Sequence, residues 1–385
     1  MHPQMTPYKV VIHRGGTSKG IFIKENELPR DPAQRDRVIR GIFGTPDIRE
    51  IDGLGGADVL TSKLAIIGPP TREDADVDYT FAQVSFDTDL VDYGGNCGNI
   101  SAAVGPFAID EGMVPITEPV TRVRIHQVNT NCILVADVPV KDGKAQVMGD
   151  CKLDGVPGTG ARIMLDFGDT AGSTTGKILP TGNPADVIHA EGYGDFEVSI
   201  VDAGNVVVFI EAASLGLKGT ETCAEIEGDK ALTDRMEAIR AACSVKIGMA
   251  ATTREATEKS AYVPFFAIVS RPADYQVAID GHTVRAGDVD VVSRLSFMLH
   301  MHKTYPGTGT VCTGAAARIP GTLVHRQLSE EARGRSMLRI GHPGGVIQVD
   351  AQARDPEGTA FLRLAYERTA RRIMEGTCYV KNDRL

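Results

Sequence analysis

Hydrophobic and polar positions alternate over short stretches along most of the chain, which predicts strands joined by loops with a few helices between them. Tyr8 to Ile12 and Ile21 to Ile23 read as strands on either side of the loop Arg14-Gly15-Gly16-Thr17-Ser18-Lys19-Gly20. Over Asp31 to Phe43 the period becomes helical. Val38, Ile39, Ile42 and Phe43 share a face, Asp31 can cap the start, and Gly44 ends the run ahead of Pro46. Ser62 to Ile67 and Val77 to Phe86 read as strands, and Cys97 to Ile109 as a short helix of small residues. Thr121 to Val138 reads as two strands turning at Asn129 to Asn131.

A second set follows. Phe196 to Val201 and Val206 to Ile210 are strands around Ala203-Gly204-Asn205. Leu232, Met236, Ile239 and Cys243 recur at helical spacing, with Thr233 as a cap, and Val289 to His302 reads as another amphipathic helix. Cys312 to Arg318 opens a small-residue helix after the loop Gly307-Thr308-Gly309-Thr310, and Ile347 to Val349 and Phe361 to Arg371 supply late strands.

The two sets resemble one unit used twice. Val10 to Gly16 aligns with Val198 to Gly204 and, after a gap of one residue, Gly20 to Ile23 aligns with Val207 to Ile210. Farther on, Asn96 to Ala103 resembles Val311 to Ala317, so that a Cys opens a helix in each half. Chance similarity between Gly- and Ala-rich segments is the plainer account. Both matches nevertheless occur in the same order, which favours duplication. The expected domains are 1–185 and 186–375, with 376–385 a tail that could return to the first. The expected class is α/β (α+β).

Composition narrows the function. The 385 residues exceed what one core usually serves, and glycine, at 42 residues, is about 11% against a usual 7%. Its clusters, such as Gly53 to Gly56, suit tight turns and close approach of backbone to a ligand. The net charge of −9 and the lack of a basic run exclude nucleic acid as the expected partner. No apolar run reaches the roughly 18 residues of a membrane helix, and residues 1–9 lack an apolar signal core. Seven scattered cysteines without a Cys-x-x-Cys pair point to a reduced, cytoplasmic protein. A homo-oligomer is compatible with these features.

Several residues invite chemistry. A Cys at a helix start meets unpaired N–H groups and positive potential, which favour a thiolate, a carboxylate or a developing enolate. Cys97, among the turn residues Gly95, Asn96, Gly98 and Asn99, has that setting, and Cys312-Thr313-Gly314 is placed similarly. A buried structural thiol is the alternative for each. Lys63 follows Thr61-Ser62 and leads into Leu64 to Ile67. A Lys in such a strand is either an exposed edge residue or, if buried, a usable base. The loop around Gly16, Thr17, Ser18 and Lys19 lacks the spacing of a nucleotide phosphate loop but could hold a carboxylate. No His, Cys and carboxylate set has metal-ligand spacing, so neither metal nor cofactor is expected.

Arg14 to Gly20, Ile51-Asp52-Gly53-Leu54-Gly55-Gly56, Thr61-Ser62-Lys63, Asn96-Cys97-Gly98-Asn99, Leu179-Pro180-Thr181-Gly182-Asn183, Val201 to Asn205 and Gly341-His342-Pro343 occur in this order over nearly the whole chain. Together they resemble the methylaconitate isomerase family. The strings Leu60 to Gly68 and Asp76 to Ser85 resemble its branch acting on methylitaconate. The resemblance implies the diaminopimelate-epimerase fold with its site in a cleft, and an unsaturated di- or tricarboxylic acid as substrate. It places the catalytic lysine on Lys63 and the cysteine on Cys97. Gly16 to Lys19, Ser62, Gly98, Asn99 and Cys312 to Gly314 are the expected substrate contacts. Epimerases of this fold carry Gly-Asn-Pro-His where this chain has Gly204-Asn205-Val206-Val207, which argues against amino-acid epimerisation.

The resulting expectation is an allylic proton shift, which for methylitaconate gives 2,3-dimethylmaleate. Isomerisation of 2-methylaconitate and tautomerisation of 4-oxalomesaconate are the sister alternatives. A racemase using Cys97 and Cys312, or a non-catalytic acid-binding protein, are readings of a different class.

Overall fold

The computed structural model describes residues 3–94, 96–278 and 280–385. The chain forms two compact units, one running to Leu165 and taking in Glu367–Leu385, the other Asp166–Tyr366. The changes of unit come earlier than the expected 185/186 and 375/376. Asp186–Ala190 pairs with Gly194–Ala203, and the backbone of Gly172 donates to the carbonyl of Asp202, which ties that stretch to the second unit. Ala370–Lys381 pairs antiparallel with Met5–Gly15 along its length, which ties the C-terminus to the first.

In the first unit, β1 (Met5–Gly15) and β2 (Ser18–Lys24) form a hairpin that leads to α1 (Pro32–Phe43). The Asp31 side chain accepts from the N–H of Gln34, and Gly44 closes α1 at a φ of 81°. β3 (Lys63–Gly68) runs parallel to β2, β4 (Val77–Val84) antiparallel to β3, and β5 (Val120–Gln127) parallel to β4. β6 (Cys132–Lys141) completes the set antiparallel to β5. Between β4 and β5 comes α2 (Gly98–Asp110), buried along almost all of its length. It packs on β1 and β3 as well as on β6, so the sheet wraps around it.

The second unit repeats this order. β7 (Gly194–Ala203) and β8 (Asn205–Glu211) form the hairpin, and α3 (Lys230–Lys246) follows with Asp229, not Thr233, as its cap. β9 (Phe265–Ser270) is parallel to β8, and β10 (Val291–Phe297) is antiparallel to β9. α4 (Gly307–Arg318) is the buried helix, then β11 (Met337–His342) runs parallel to β10 and β12 (Gly345–Ala353) antiparallel to β11. The one-residue gap in the internal alignment is the hairpin turn. Gly15 faces Ser18 across Gly16 and Thr17, whereas Ala203 faces Asn205 across Gly204 alone. Gly16 and Gly204 both have positive φ.

Two helix expectations need correction. Val289 to His302 is not a helix but β10 followed by the short strand His300–Met301. Val291 to Leu295 are all buried, so the strand has no exposed face to give an alternating pattern. Nor does Cys312 open α4. The helix starts at Gly307 after Pro306, within the stretch expected to be a loop. Glycines there serve packing: a Cβ on Gly307 would lie 2.3 Å from the Tyr366 hydroxyl, and one on Gly314 2.9 Å from Val349. No helix among the described residues is long and apolar enough to cross a membrane.

Candidate active site

The site is built on the face of the first sheet that meets α2. A Cβ placed on Gly15 would lie 2.3 Å from the carbonyl of Asn99, and one on Gly20 3.0 Å from Ile100 Cδ1, so both positions point at the first turn of α2. Paired residues in neighbouring strands project to the same side. Ser18, opposite Gly15, and Lys63, opposite Gly20, therefore share that face. One row runs across four strands: His13, Gly20, Lys63 and Gln83.

Lys63 is buried at the start of β3 and Nζ donates to Gln83 Oε1 at 2.9 Å. Nζ stands 5.5 Å from the centre of the Phe81 ring. Among the described residues no carboxylate forms an ion pair with it. Cys97 is the N-cap of α2, half-buried and free, and no side chain caps this helix. Its carbonyl is held by the Ser101 N–H and hydroxyl, each at 2.9 Å. Among the described residues no side chain caps the first-turn N–H groups of this helix. Gly95, one of the expected neighbours of Cys97, lies outside the described residues.

The glycine loop differs from its expected use. The N–H of Gly16 donates to the carbonyl of Thr369, that of Thr17 to Asn99 Oδ1, and that of Lys19 to the carbonyl of Leu60. Asn99 Nδ2 in turn donates to Thr17 Oγ1 at 3.0 Å. These bonds hold the loop to the returning segment, to α2 and to Leu60. The Ser18 hydroxyl, 2% exposed on the face toward α2, has no hydrogen-bond partner among the described residues. A desolvated hydroxyl of this kind is costly unless something binds it.

Ser62 is fully buried and its hydroxyl donates to Glu50 Oε2 at 2.5 Å. Glu50 also accepts the N–H of Ala57, and a Cβ on Gly55 would fall 2.0 Å from its carboxyl carbon. The Ile51 to Ala57 motif is therefore a loop folded around one buried carboxylate.

Cys312, Thr313 and Gly314 all lie within α4. Cys312 is fully buried in α4, its thiol donates to the carbonyl of Val201 at 3.2 Å, and burial pushes its pKa well up. The Thr313 hydroxyl bonds to the carbonyl of Gly309 and to Tyr305, and Gly314 packs on Val349. Asp202, in the second glycine motif, is likewise structural. It is buried, which raises its pKa, and it accepts the N–H groups of Thr174 and Thr175.

Some residues were missed in the sequence. Gln83 reaches Lys63 only through strand register. Thr369, which holds the loop, and Arg368, whose Cδ would lie 3.1 Å from a Cβ on Gly16, come from the far end of the chain. His13 stands just ahead of the glycine loop, 1% exposed, with its pKa pushed down to about 4 by burial and by Arg372. No spacing pattern marks any of them. Lys63 and the Ser18 hydroxyl thus share the face of the sheet that meets α2, whose N-cap is Cys97.

The fold has solved counterparts. A hydroxyproline epimerase from Agrobacterium vitis, solved with trans-4-hydroxy-L-proline, superposes with a TM-score of 0.55 over 99% of this chain and 93% of its own, at 11% identity. This places the chain in the diaminopimelate-epimerase-like fold class. Residues 5–381 match the family model described as PrpF protein, and the chain belongs to that family. It is 57% identical to the 3-methylitaconate isomerase of Eubacterium barkeri over 97% of both chains. A crystal structure of methylitaconate-delta-isomerase superposes with a TM-score of 0.92 at 56% identity, covering 99% of this chain and 97% of that one.

Proposed function

We propose that this protein is a methylitaconate Δ-isomerase, shifting a proton across an allylic system to interconvert methylitaconate and 2,3-dimethylmaleate. The observation that carries the reading is the Ser18 hydroxyl, buried without a partner on the same face as Lys63 and turned to the uncapped start of α2. A substrate carboxylate accepts from that hydroxyl and from the N–H groups of Gly98 and Asn99. Lys63 takes the proton from the carbon between the methyl group and a carboxylate. The C–H electron pair enters a dienolate, which preorganised donors stabilise. The methylene carbon then receives a proton from Lys63 or Cys97 and becomes the second methyl group. The oxidation level does not change, so the reaction as written calls for no redox cofactor.

Identity to the Eubacterium barkeri isomerase supports the choice of substrate within the family. Seven free cysteines suit a reducing compartment, and we assign the protein to the cytoplasm. The test is incubation in D₂O with methylitaconate, 2-methylaconitate, oxalomesaconate and proline, followed by NMR. Deuterium should enter the new methyl group of 2,3-dimethylmaleate fastest. Faster conversion of another unsaturated acid reassigns the substrate. Exchange at the proline α-carbon alone, or at no carbon, overturns the reading.

A further inference from the structure

The Lys63 amine could have been held by a carboxylate, the commonest partner of a buried ammonium. It is held by a carboxamide. Gln83 Oε1 accepts from Lys63 Nζ at 2.9 Å, and Gln83 Nε2 donates to the carbonyl of Ser62 at 2.8 Å. Those two bonds fix the amide orientation, because flipping it would set donor against donor and acceptor against acceptor. Ser62 is itself immobilised by Glu50, so the chain Glu50, Ser62, Gln83, Lys63 ends at the amine nitrogen. We infer that Gln83 is the positioning residue of the base: it fixes where Nζ stands while giving it no counter-charge. The inference rests on Lys63 acting as the base.

A counter-charge at this distance would hold the ammonium and withhold the lone pair from the substrate. The other titratable groups on elements packed around this face are few. Cys97 caps α2 and Glu50 lies behind Ser62. Asp92 pairs with Gln83 across the adjacent strand, and His13 stands two strands away in the row. None of them forms an ion pair with Lys63 among the described residues.

The experiment compares Gln83→Glu and Gln83→Met with the parent, reading kcat and KM from pH 5 to 10 alongside thermal melting. Gln83→Glu should lower kcat at pH 7 by about tenfold or more and move its acidic limb upward by roughly 1 to 2 pH units, with activity recovering at high pH. KM should stay within a few-fold, because the substrate carboxylate is held elsewhere. Gln83→Met should lower kcat by about tenfold without moving the limb upward, since it removes the hold and adds no charge. Should Gln83→Glu fail to fold, Gln83→Met decides alone, and parental turnover in it rejects the inference. A folded Gln83→Glu with the parent's kcat and limb also rejects it. If Lys63→Ala is inactive in the same assay, only the role of Gln83 falls. If Lys63→Ala stays active, the reading of Lys63 falls.

Discussion

The two units share strand order, parallel and antiparallel pairings, and a buried helix of small residues, yet only one carries a row of reactive groups. In the first unit the row facing the helix reads His13, Gly20, Lys63 and Gln83. In the second, the paired residues at the same hairpin and strand are Val201, Val207 and Phe265. Phe265 stands beside Phe297, with ring centroids 5.2 Å apart. The helix starts differ too: Cys97 caps α2 without a side-chain cap bond, whereas Pro306 caps α4 and Cys312 is buried farther along. At the turn, Ser18 keeps a partnerless hydroxyl, while Asn205 bonds the following N–H with its own side chain. A duplicated scaffold tolerates this divergence because its stability comes from apolar packing, which both halves retain. Desolvated polar groups are costly unless they find a partner.

The strongest test of this asymmetry is Lys63→Ala. Turnover should fall by roughly 10³-fold while the fold persists, and Lys63→Arg should not restore it, since guanidinium stays protonated. Turnover within tenfold of the parent in steady-state assays would mean that the base lies elsewhere. Next comes the pair of cysteines. Cys97→Ser should lower turnover by about 10²-fold if the thiol relays a proton, whereas Cys312→Ser should stay within a few-fold of the parent, because a hydroxyl can also donate to the Val201 carbonyl. Equal losses in both would restore the symmetric, two-cysteine reading. The smallest effect is expected at Ser18. Ser18→Ala should raise KM about tenfold, the scale of one hydrogen bond to a charged group, without lowering the melting temperature. A lower melting temperature with an unchanged KM would show the hydroxyl to be structural.

Much of the fold was legible in the sequence because local chemistry decided it. Asp31 and Gly44 mark the ends of α1 by capping and left-handed backbone, and the alternating stretches around β5 and β6 turn where the Asn residues stand. Misreadings fall where burial is complete. β10 is covered on both faces and loses its period, and the start of α4 is rich in glycine because it packs closely, which in isolation resembles a loop. The alignment of Cys97 with Cys312 slid for the same reason: both helices are rich in Gly and Ala, so composition does not fix the register.

By itself, the chain's order of glycine motifs, Lys63 and Cys97 determined the family and singled out the candidate residues for a proton shift, since those rest on residue identity and short spacing. Which groups a ligand could reach was decided only by the tertiary structure. It turned the loop N–H groups of Gly16, Thr17 and Lys19 to partners within the protein, committed Ser62 to Glu50, and buried Cys312. It also set Gln83 against Lys63 by register and brought Thr369 to the loop from the far end of the chain. The physical reason is that hydrogen-bond satisfaction is an account kept over the whole fold: whether a donor is free depends on every neighbour packed around it, and most of those neighbours are distant in sequence.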